Sequence, residues 1–212
     1  MPVRDVACPS CGAPVTFASS VSAIAVCAHC RATLLRTDLD VEQIGTMSAL
    51  LEDPTPLQLG AEGRYRGSHF AVVGRIQVRW EHGRWNEWYI VLDDQRTGWL
   101  GEAGGEYSVS FETSVAEPPP PWTALRPGVA VTLAGVQYEV VDRREAEVVG
   151  GEGELPFRVE SGWATATADL KTSTARFATL DYSDDAPRVY LGEAVELDAL
   201  DLRGLRELEG WR

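Results

Sequence analysis

Residues 60–75, GAEGRYRGSHFAVVGR, return in altered form as residues 128–143, GVAVTLAGVQYEVVDR. The matched pairs are Gly60 with Gly128, Gly67 with Gly135, Phe70 with Tyr138, Val72 with Val140, Val73 with Val141 and Arg75 with Arg143. Each stretch predicts a strand, a turn at a glycine and a returning strand in which aromatic residues and valines alternate. A pattern that recurs in the same order indicates two copies of one supersecondary unit.

A second pair of segments extends this match. GWLGEAGGEYSV (98–109) resembles VYLGEAVELDAL (189–200), and both contain Leu-Gly-Glu-Ala after an aromatic residue. The aromatic residues are Trp99 and Tyr190, and the equivalent glutamates are Glu102 and Glu193. Two explanations remain open for the glutamates: they mark a paired binding site, or each accepts hydrogen bonds from the amides of the same turn.

Residues 75–100, RIQVRWEHGRWNEWYIVLDDQRTGWL, contain four tryptophans and one tyrosine. In the first part, apolar residues alternate with Gln77 and Arg79, which predicts a strand with one buried face. The returning strand is apolar on both faces, with Trp85, Tyr89 and Val91 on one and Trp88, Ile90 and Leu92 on the other. A strand covered on both faces is central, so we expect the rings to pack inside the protein. A base-stacking surface would need exposed rings among basic residues, and here Glu81, Glu87, Asp93 and Asp94 equal the arginines in number.

Four cysteines near the N-terminus follow the pattern C-x2-C-x15-C-x2-C: Cys8, Cys11, Cys27 and Cys30. This spacing is typical of a four-thiolate zinc site, because two intervening residues let both thiolates of a pair face one ion. Four thiolates leave no open position for water, so the predicted Zn2+ is structural. The interval APVTFASSVSAIAV predicts two short strands that form the hairpin of a zinc ribbon around residues 18–20.

Two proline-rich breaks divide the chain, LLEDPTPLQLG (50–60) and AEPPPPWTALRPG (116–128). The second break predicts a stiff spacer, because consecutive prolines favour polyproline geometry. We therefore predict a mainly β fold, in which an N-terminal zinc ribbon is followed by two related small β-barrel or β-sandwich modules. The predicted domains are the zinc ribbon at 1–45, the first β-module at 56–116, the proline-rich linker at 117–127 and the second β-module at 128–212.

The second β-module is predicted to end in a short C-terminal helix or tail. Leu202, Leu205 and Leu208 recur at a spacing of three, which would place them on one helix face. Gly204 weakens such a helix by about 1 kcal/mol relative to alanine. Trp211 follows, and we expect it to fold back and cap an apolar surface.

The chain is acidic, with a formal net charge of −13. Such a charge repels phosphate backbones and anionic lipid surfaces. The sequence shows no signal peptide and no run of about 18 apolar residues. We expect a cytoplasmic protein, in a compartment that keeps thiols reduced, with no nucleic-acid partner and no direct membrane insertion.

The sequence contains no G-x-S-x-G, P-loop or H-E-x-x-H motif, and the predicted zinc site uses all four cysteines. The acidic segment LDYSDDAPR, with Asp181, Ser183, Asp184 and Asp185, has three possible explanations. It binds a cation, it supplies paired carboxylates for acid–base catalysis, or it is a solvated turn. We predict that the protein is not an enzyme.

Longer segments resemble a known family. PLQLGAEGRYRGSHFAVVGRIQVRWEHGRWNEWYIVLDDQRTGWLGE, GELPFRVESGW and ARFATLDYSDDAPRVYLGE strongly resemble the bacterial domain-of-unknown-function 4178 family, and the W-N-E-W-Y, G-W-L and F-A-T-L-D-Y-S segments are specific. The resemblance covers nearly the whole chain and implies a tandem β architecture behind a zinc ribbon. It implies no activity, because the family has no established catalytic residues. Its members resemble accessory proteins encoded near aminopropyltransferase-type enzymes and membrane-associated proteins.

The main functional hypothesis is a non-catalytic scaffold or adaptor that acts by protein–protein interaction in a bacterial multi-protein system. The first alternative is a binding module for a cationic small molecule such as a polyamine, accessory to an aminopropyltransferase-type enzyme, because rings and carboxylates together bind cations. The second alternative is nucleic-acid binding through the zinc ribbon, although that segment has only Arg4, Arg31 and Arg36 as basic residues. The candidate binding residues are Trp85, Trp88, Trp99, Glu102, Tyr190 and Glu193.

Overall fold

The computed structural model describes residues 4–37, 41–160 and 162–208. In these ranges the chain forms fifteen strands and two short 3-10 helices, Trp122–Ala124 and Leu197–Leu200. The strands are β1 Arg4–Ala7, β2 Pro14–Phe17, β3 Ile24–Val26, β4 Ala32–Arg36, β5 Val41–Thr46, β6 Glu62–Tyr65, β7 Ser68–Trp80, β8 Gly83–Leu92, β9 Thr97–Ala103, β10 Glu106–Glu112, β11 Ala130–Leu133, β12 Val136–Leu155, β13 Ala164–Lys171, β14 Arg176–Asp181 and β15 Arg188–Val195. The prediction of a mainly β protein is confirmed.

In the N-terminal segment each cysteine pair lies at the turn of its own β-hairpin. β1 pairs with β2 in a separate two-stranded sheet, and β3 pairs with β4, whose other side carries β5. The predicted hairpin between β2 and β3 is therefore wrong. The chain reverses within each Cys-x-x-Cys turn instead, where the Gly12 amide donates to the Cys8 carbonyl and the Arg31 amide to the Cys27 carbonyl, both at 2.8 Å.

Strands from both sequence repeats close into one antiparallel ring. The hydrogen-bonded order is β7-β8-β9-β10-β15-β14-β13-β12, and β12 pairs back onto β7. The first repeat supplies β6 to β10 and the second supplies β11 to β15, with β6 and β11 pairing onto β7 and β12 beside the ring. In this order β8 and β14 stand on opposite walls, four strands apart in either direction.

The two junctions between the repeats, β7 with β12 and β10 with β15, both require glycine. A Cβ added to Gly74 would lie 1.7 Å from the Glu154 carbonyl oxygen, and one added to Gly192 would lie 1.8 Å from the Val109 carbonyl oxygen. No side chain fits at either distance, so the close approach of the backbones depends on these glycines.

The strand registers confirm the tandem repeat. A β-bulge follows Val72 where β7 pairs with β8, and another follows Val140 where β12 pairs with β13. The Gly60 amide donates to the Val72 carbonyl and the Gly128 amide to the Val140 carbonyl, both at 2.8 Å. The residues matched in the sequence therefore hold equivalent positions in the fold.

Each repeat has its own hydrophobic core. The first core includes Tyr65, Phe70, Val72, Trp88, Ile90, Leu92, Leu100, Tyr107 and Val109. The second includes Val131, Leu133, Tyr138, Val140, Ala168, Leu170, Ala178, Leu180 and Val189. Leu57 and Leu125, which precede the two repeats, are fully buried in the first and second core respectively.

The segment that precedes each repeat is fixed by the matched arginine of that repeat. The Arg75 guanidinium is buried and donates to Asp53 Oδ2 at 2.5 Å and to Asn86 Oδ1 at 2.7 Å. The Arg143 guanidinium lies 4.0 Å from the centre of the Trp122 ring and donates to the Leu125 carbonyl at 3.2 Å. Both segments are therefore held against their modules.

The expectation that β7 has only one buried face is wrong near Gln77, which is fully buried. The Gln77 amide group exchanges two hydrogen bonds with the backbone of Leu51, at 2.8 and 2.9 Å, and donates to Asp53. Polar side chains are stable on this face because the preceding segment supplies hydrogen-bond partners for them.

The N-terminal segment is continuous with the ring. β3 pairs with the end of β12, and Ile24, Val26 and Met47 share a hydrophobic core with Ile76, Val78, Tyr89 and Val148. The buried Glu154 carboxylate on β12 accepts hydrogen bonds from the Ala18 amide at 2.6 Å and the Ser19 amide at 3.1 Å. The connection between the two cysteine hairpins is thereby fixed to the second repeat.

The C-terminal segment is a tail. No helix forms over residues 201–208, so the helix predicted there is wrong and the tail alternative describes this segment. The Arg203 amide donates to the Glu62 carbonyl at 2.8 Å, and Leu202 and Leu205 pack against the first core. Packing on the first core and a backbone hydrogen bond to β6 therefore hold the tail in place without a helix. Trp211 lies outside the described residues.

Candidate functional site

The four cysteines form the first candidate site. Their sulfurs all lie within 4.8 Å of one another, and the Cys8–Cys30 and Cys11–Cys27 sulfur pairs are 3.7 Å apart. A tetrahedral ion with metal–sulfur bonds of about 2.3 Å separates its sulfurs by about 3.8 Å, whereas a disulfide requires about 2.05 Å. The geometry therefore fits a bound metal ion, and the cysteines are free thiols.

The turn backbone also favours the thiolate form that a metal ligand needs. The hydrogen bond from the Ala32 backbone amide, together with those from the other three cysteines, lowers the pKa of the Cys30 thiol to about 6. The Ala13 amide acts in the same direction on Cys11, but hydrogen bonds with the other cysteines and burial raise the pKa of that thiol to about 12. Cys8 and Cys27 are buried, and Cys11 is exposed. Deprotonated cysteines bind soft and borderline ions, so these four residues could hold one metal ion.

The second candidate site is a cavity inside the ring that is partly open to solvent, with a volume of about 120 Å³. One arc of its wall, from β12 through β7 and β8 to β9, is apolar and aromatic. This arc includes Ile76, Val78, Trp85, Trp99 and Val148, together with Phe157 and Trp163 from the segment after β12. The ring centres of Trp99 and Phe157, and of Phe157 and Trp163, are each 6.0 Å apart, which is a normal packing distance for aromatic pairs.

The opposite arc, formed by β13, β14 and β15, is polar. It presents the hydroxyl groups of Thr165, Thr167, Thr179 and Ser183, the carboxylates of Asp181 and Asp184, and the side chains of Arg188 and Tyr190. The Thr165 and Ser183 hydroxyl oxygens are 2.8 Å apart. The Asp181 carboxylate accepts a hydrogen bond from the Ser183 backbone amide, also at 2.8 Å. This arc therefore holds fixed hydrogen-bonding groups at the cavity.

Glu87 is the carboxylic acid of the apolar arc. Its Oε1 accepts a hydrogen bond from the Trp85 indole at 2.9 Å. Burial, followed by the negative charges of Asp169 and Asp181, raises the pKa of Glu87 to about 8. Since Asp181 stands on β14, opposite β8, the two carboxyl groups act on each other across the cavity.

Asp169 extends the acidic group along β13. Burial raises its pKa to about 6, against the opposing effect of a 2.8 Å hydrogen bond from Thr179. Arg188 is paired with Asp184, Arg144 with Asp142 and Lys171 with Glu106. Within the described ranges Glu87, Asp169 and Asp181 form no ion pair. The charges of Arg144 and Lys171 nevertheless act on Asp169, and Asp181 acts on Arg188, so Glu87 is the carboxyl group with the least compensation.

Comparison with family models gives one match. The model of the Domain of unknown function (DUF4178) matches residues 58–197, more than half of the chain. The chain belongs to this family. No curated protein and no solved structure matches it.

The DUF4178 match includes both repeats and the strands that form the cavity wall, and it begins after the cysteine hairpins. The family is one of unknown function, so the match indicates no catalytic class. Among the residues that the structure describes, no helix is long and apolar enough to cross a membrane.

The six candidate binding residues divide between two faces. Trp85, Trp99 and Tyr190 line the cavity. Trp88 is fully buried in the first core, and its indole donates to Glu102 at 2.9 Å. Their role in binding stays a prediction.

The equivalent glutamates are not brought together, and each lies in a strand. Glu102 also accepts from Asn86 at 2.9 Å, whereas Glu193 forms an ion pair with Arg66 at 2.6 Å. In the described structure both carboxylates therefore accept hydrogen bonds from side chains.

The sequence analysis missed Glu87, Asp169, Phe157 and Trp163. One signal could have found Glu87: it alternates with Trp85 and Tyr89 on an otherwise apolar face, which places a carboxyl group at a buried position. No comparable signal marks Phe157 or Trp163, because they belong to the irregular segment after β12 and reach the cavity only through the closure of the ring.

Proposed function

We propose that this protein is a non-catalytic binding protein whose ring cavity holds a small organic cation. One observation carries the proposal: Glu87 and Asp181, two carboxyl groups without an ion-pair partner among the described residues, line a cavity whose wall is partly aromatic, and the negative charge of Asp169 acts on Glu87 from nearby. Buried carboxylates are costly unless a cation compensates them. Tryptophan, tyrosine and phenylalanine rings attract cations through their negative faces.

The four cysteines hold Zn2+ in this proposal, as a structural ion. The sulfur separations suit a tetrahedral ion, and four thiolate ligands are a common zinc set. The ion would crosslink the two hairpins and support β3, which extends the ring at β12.

A calorimetric titration tests cation binding. Spermidine, tetramethylammonium and n-butylamine are titrated into the full chain at moderate salt, with glycerol as the neutral control. At least one cation should give a saturable heat that is absent in the Glu87→Gln variant. If none of them binds up to millimolar concentration, the proposal is wrong.

The protonation of Glu87 gives a second readout. A cation favours the ionised carboxylate, so binding at pH 7 should release protons from a group whose pKa is raised to about 8. The apparent binding enthalpy should then differ between phosphate and Tris buffers, which have different ionisation enthalpies. Equal enthalpies would show that Glu87 does not titrate on binding.

A second candidate function is a scaffold that binds a protein partner, and the edge strand β5 supports it. In the described part of the chain β5 ends the large sheet and pairs only with β4. A strand at the end of a sheet can accept a strand from another chain. A photo-crosslinking amino acid in place of the exposed Glu42 should capture such a partner, whereas the same replacement at the exposed Asp198 should not. Equal capture at both positions would contradict this function.

A further inference from the structure

The two repeats carry different side chains at equivalent strand positions, and of the residues compared below Ile76, Glu87 and Thr167 line the cavity. In the first repeat, β7 and β8 pair Ile76 with Glu87 and Gly74 with Tyr89. In the second repeat, β12 and β13 pair Arg144 with Thr167 and Asp142 with Asp169 at the corresponding places. The ring therefore joins a mainly apolar half to a mainly polar half.

The apolar half has one polar feature at its centre. Glu87 lies between the rings of Trp85 and Tyr89 along β8, and its Oε2 lies 3.5 Å from the position that a Cβ of Gly101 would take. The same Cβ would lie 2.9 Å from the Ser108 hydroxyl oxygen. Glycine at position 101 therefore keeps the space between these two oxygens open.

The size of the cavity limits the ligand. Its volume of about 120 Å³ is slightly below the roughly 150 Å³ of an engineered apolar cavity that binds benzene. A ligand of about five or six non-hydrogen atoms fits this space. Spermidine would extend well beyond it.

We infer that the cavity takes a small primary amine with one ammonium group and an apolar alkyl tail. The tail would lie against Trp99, Phe157 and Trp163, and the ammonium group would lie between Glu87 and Asp181 on the opposite wall. This inference rests on the proposed function and adds the chemical class of the ligand. A diamine of the same length would bring its second positive charge towards Arg188, which lies over the Phe157 ring at 5.4 Å and would repel it.

Arg188 is the one cationic side chain at the cavity wall among the described residues, and it lies over the Phe157 ring at 5.4 Å. Its guanidinium is paired with Asp184, and Asp181 adds a second negative charge. These two aspartates compensate Arg188, so it does not neutralise Glu87 on the other wall. The positive charge of Arg188 also disfavours a second positive charge of the ligand near Phe157.

Three probes of one length test the inference: n-butylamine, 1-butanol and 1,4-diaminobutane. They share a four-carbon chain and carry one, no and two positive charges. Calorimetric titration of the full chain should show n-butylamine binding at least tenfold more tightly than either of the others. Trp99→Leu should weaken the binding of n-butylamine and of 1-butanol by similar factors, because the substitution removes only contacts with the alkyl tail.

Glu87→Gln should reduce the preference for n-butylamine over 1-butanol to less than threefold. Asp94→Asn is the control, since Asp94 pairs with Arg96 in the exposed turn between β8 and β9 and does not line the cavity, and it should keep the full preference. Melting temperatures of both variants establish that they are folded. A Glu87→Gln variant that is folded and keeps the preference would overturn the inference.

The outcomes separate the inference from the proposed function. If 1,4-diaminobutane binds as tightly as n-butylamine or more tightly, the cavity binds cations but the ligand class is wrong. If 1-butanol binds as tightly as n-butylamine, the cavity is an apolar site and both the inference and the cation-binding function are wrong. If no probe, spermidine or tetramethylammonium binds, both are wrong as well.

Discussion

The two repeats agree on the faces that form their cores and differ on the faces that meet in the cavity. On the core side, Val72 with Ile90 in the first repeat corresponds to Val140 with Leu170 in the second. On the cavity side, Glu87 corresponds to Thr167. Each core must exclude water by itself, so both faces stay apolar. The faces that line the cavity have no such requirement. The residues that differ between the two repeats on these faces are therefore the ones that can have a functional role.

The matched arginines show the same contrast in another form. Arg75 has an acidic partner at 2.5 Å and is almost fully buried, whereas Arg143 stacks on Trp122 and its Nε has no hydrogen-bond partner in the described structure. Both arginines fix the segment that precedes their repeat. The position keeps its structural role while the interaction changes from a buried ion pair to a cation–π contact.

The largest expected effect concerns the metal site, which only the second repeat contacts by strand pairing, through β3 and β12. Replacing Cys8 and Cys30 by serine should abolish metal binding, and structural zinc contributes on the order of 10 kcal/mol. Hydrogen exchange should rise in residues 4–46 and at the end of β12, and less in β13 to β15. His29→Ala should still bind one zinc ion per chain, measured by mass spectrometry, because the four sulfurs suffice. Loss of the ion in His29→Ala would show that the ligand set is different.

Replacing each of the two matched arginines by alanine should lower the free energy of unfolding by clearly different amounts. Arg75→Ala leaves Asp53 buried without its cation, and breaking a buried pair costs about 3–5 kcal/mol. Arg143→Ala removes a cation–π contact and one hydrogen bond, which together amount to roughly 1–2 kcal/mol. Urea denaturation measures both values. Equal losses would mean that the two segments are held in the same way despite their different contacts.

The equivalent glutamates give a smaller contrast of the same kind. Glu102 accepts hydrogen bonds from the fully buried Trp88 and from Asn86, so Glu102→Ala should cost about 1–3 kcal/mol by leaving these donors unpaired. Glu193 pairs with the exposed Arg66, and Glu193→Ala should cost less than about 1 kcal/mol. Thermal melting of the two variants tests this order, and a reversed order would contradict the described contacts.

The last contrast is a pH dependence between pH 6 and pH 8, which of the two repeats the first supplies. Burial raises the pKa of Glu87 from 4.5 to about 8, so the folded state holds a proton that the unfolded state has released. The stability should therefore fall as the pH rises through this range and level off above pH 8. Asp169, with a pKa of about 6, contributes mainly at lower pH. Glu87→Gln should flatten the profile between pH 6 and pH 8, measured by melting temperature without ligand, and an unchanged slope would exclude Glu87 as its source.

Local patterns predicted much of the fold. The alternation on both faces of β8 correctly placed Trp88, Ile90 and Leu92 opposite Trp85 and Tyr89, because side chains on a strand point to alternate faces whatever the tertiary context. The cysteine spacing correctly predicted a cluster that fits a metal ion. The prediction of a hairpin between β2 and β3 was wrong because strands that are neighbours in sequence need not pair. Here β2 pairs with β1 and β3 pairs with β4, each across a Cys-x-x-Cys turn.

The sequence by itself determined the strand content, the cysteine cluster and the repeat, because each depends on residues that are close together in the chain or on a pattern that recurs. Only the tertiary structure decided that β12 pairs with β7 and β10 with β15, which brings Glu87 opposite Asp181 across one cavity. These pairings join residues 70 to 88 positions apart, and no local periodicity specifies with which distant strand an edge will pair. Glu87 is buried only because the ring closes around it. Its raised pKa is therefore caused by the tertiary structure and not by the local sequence of β8.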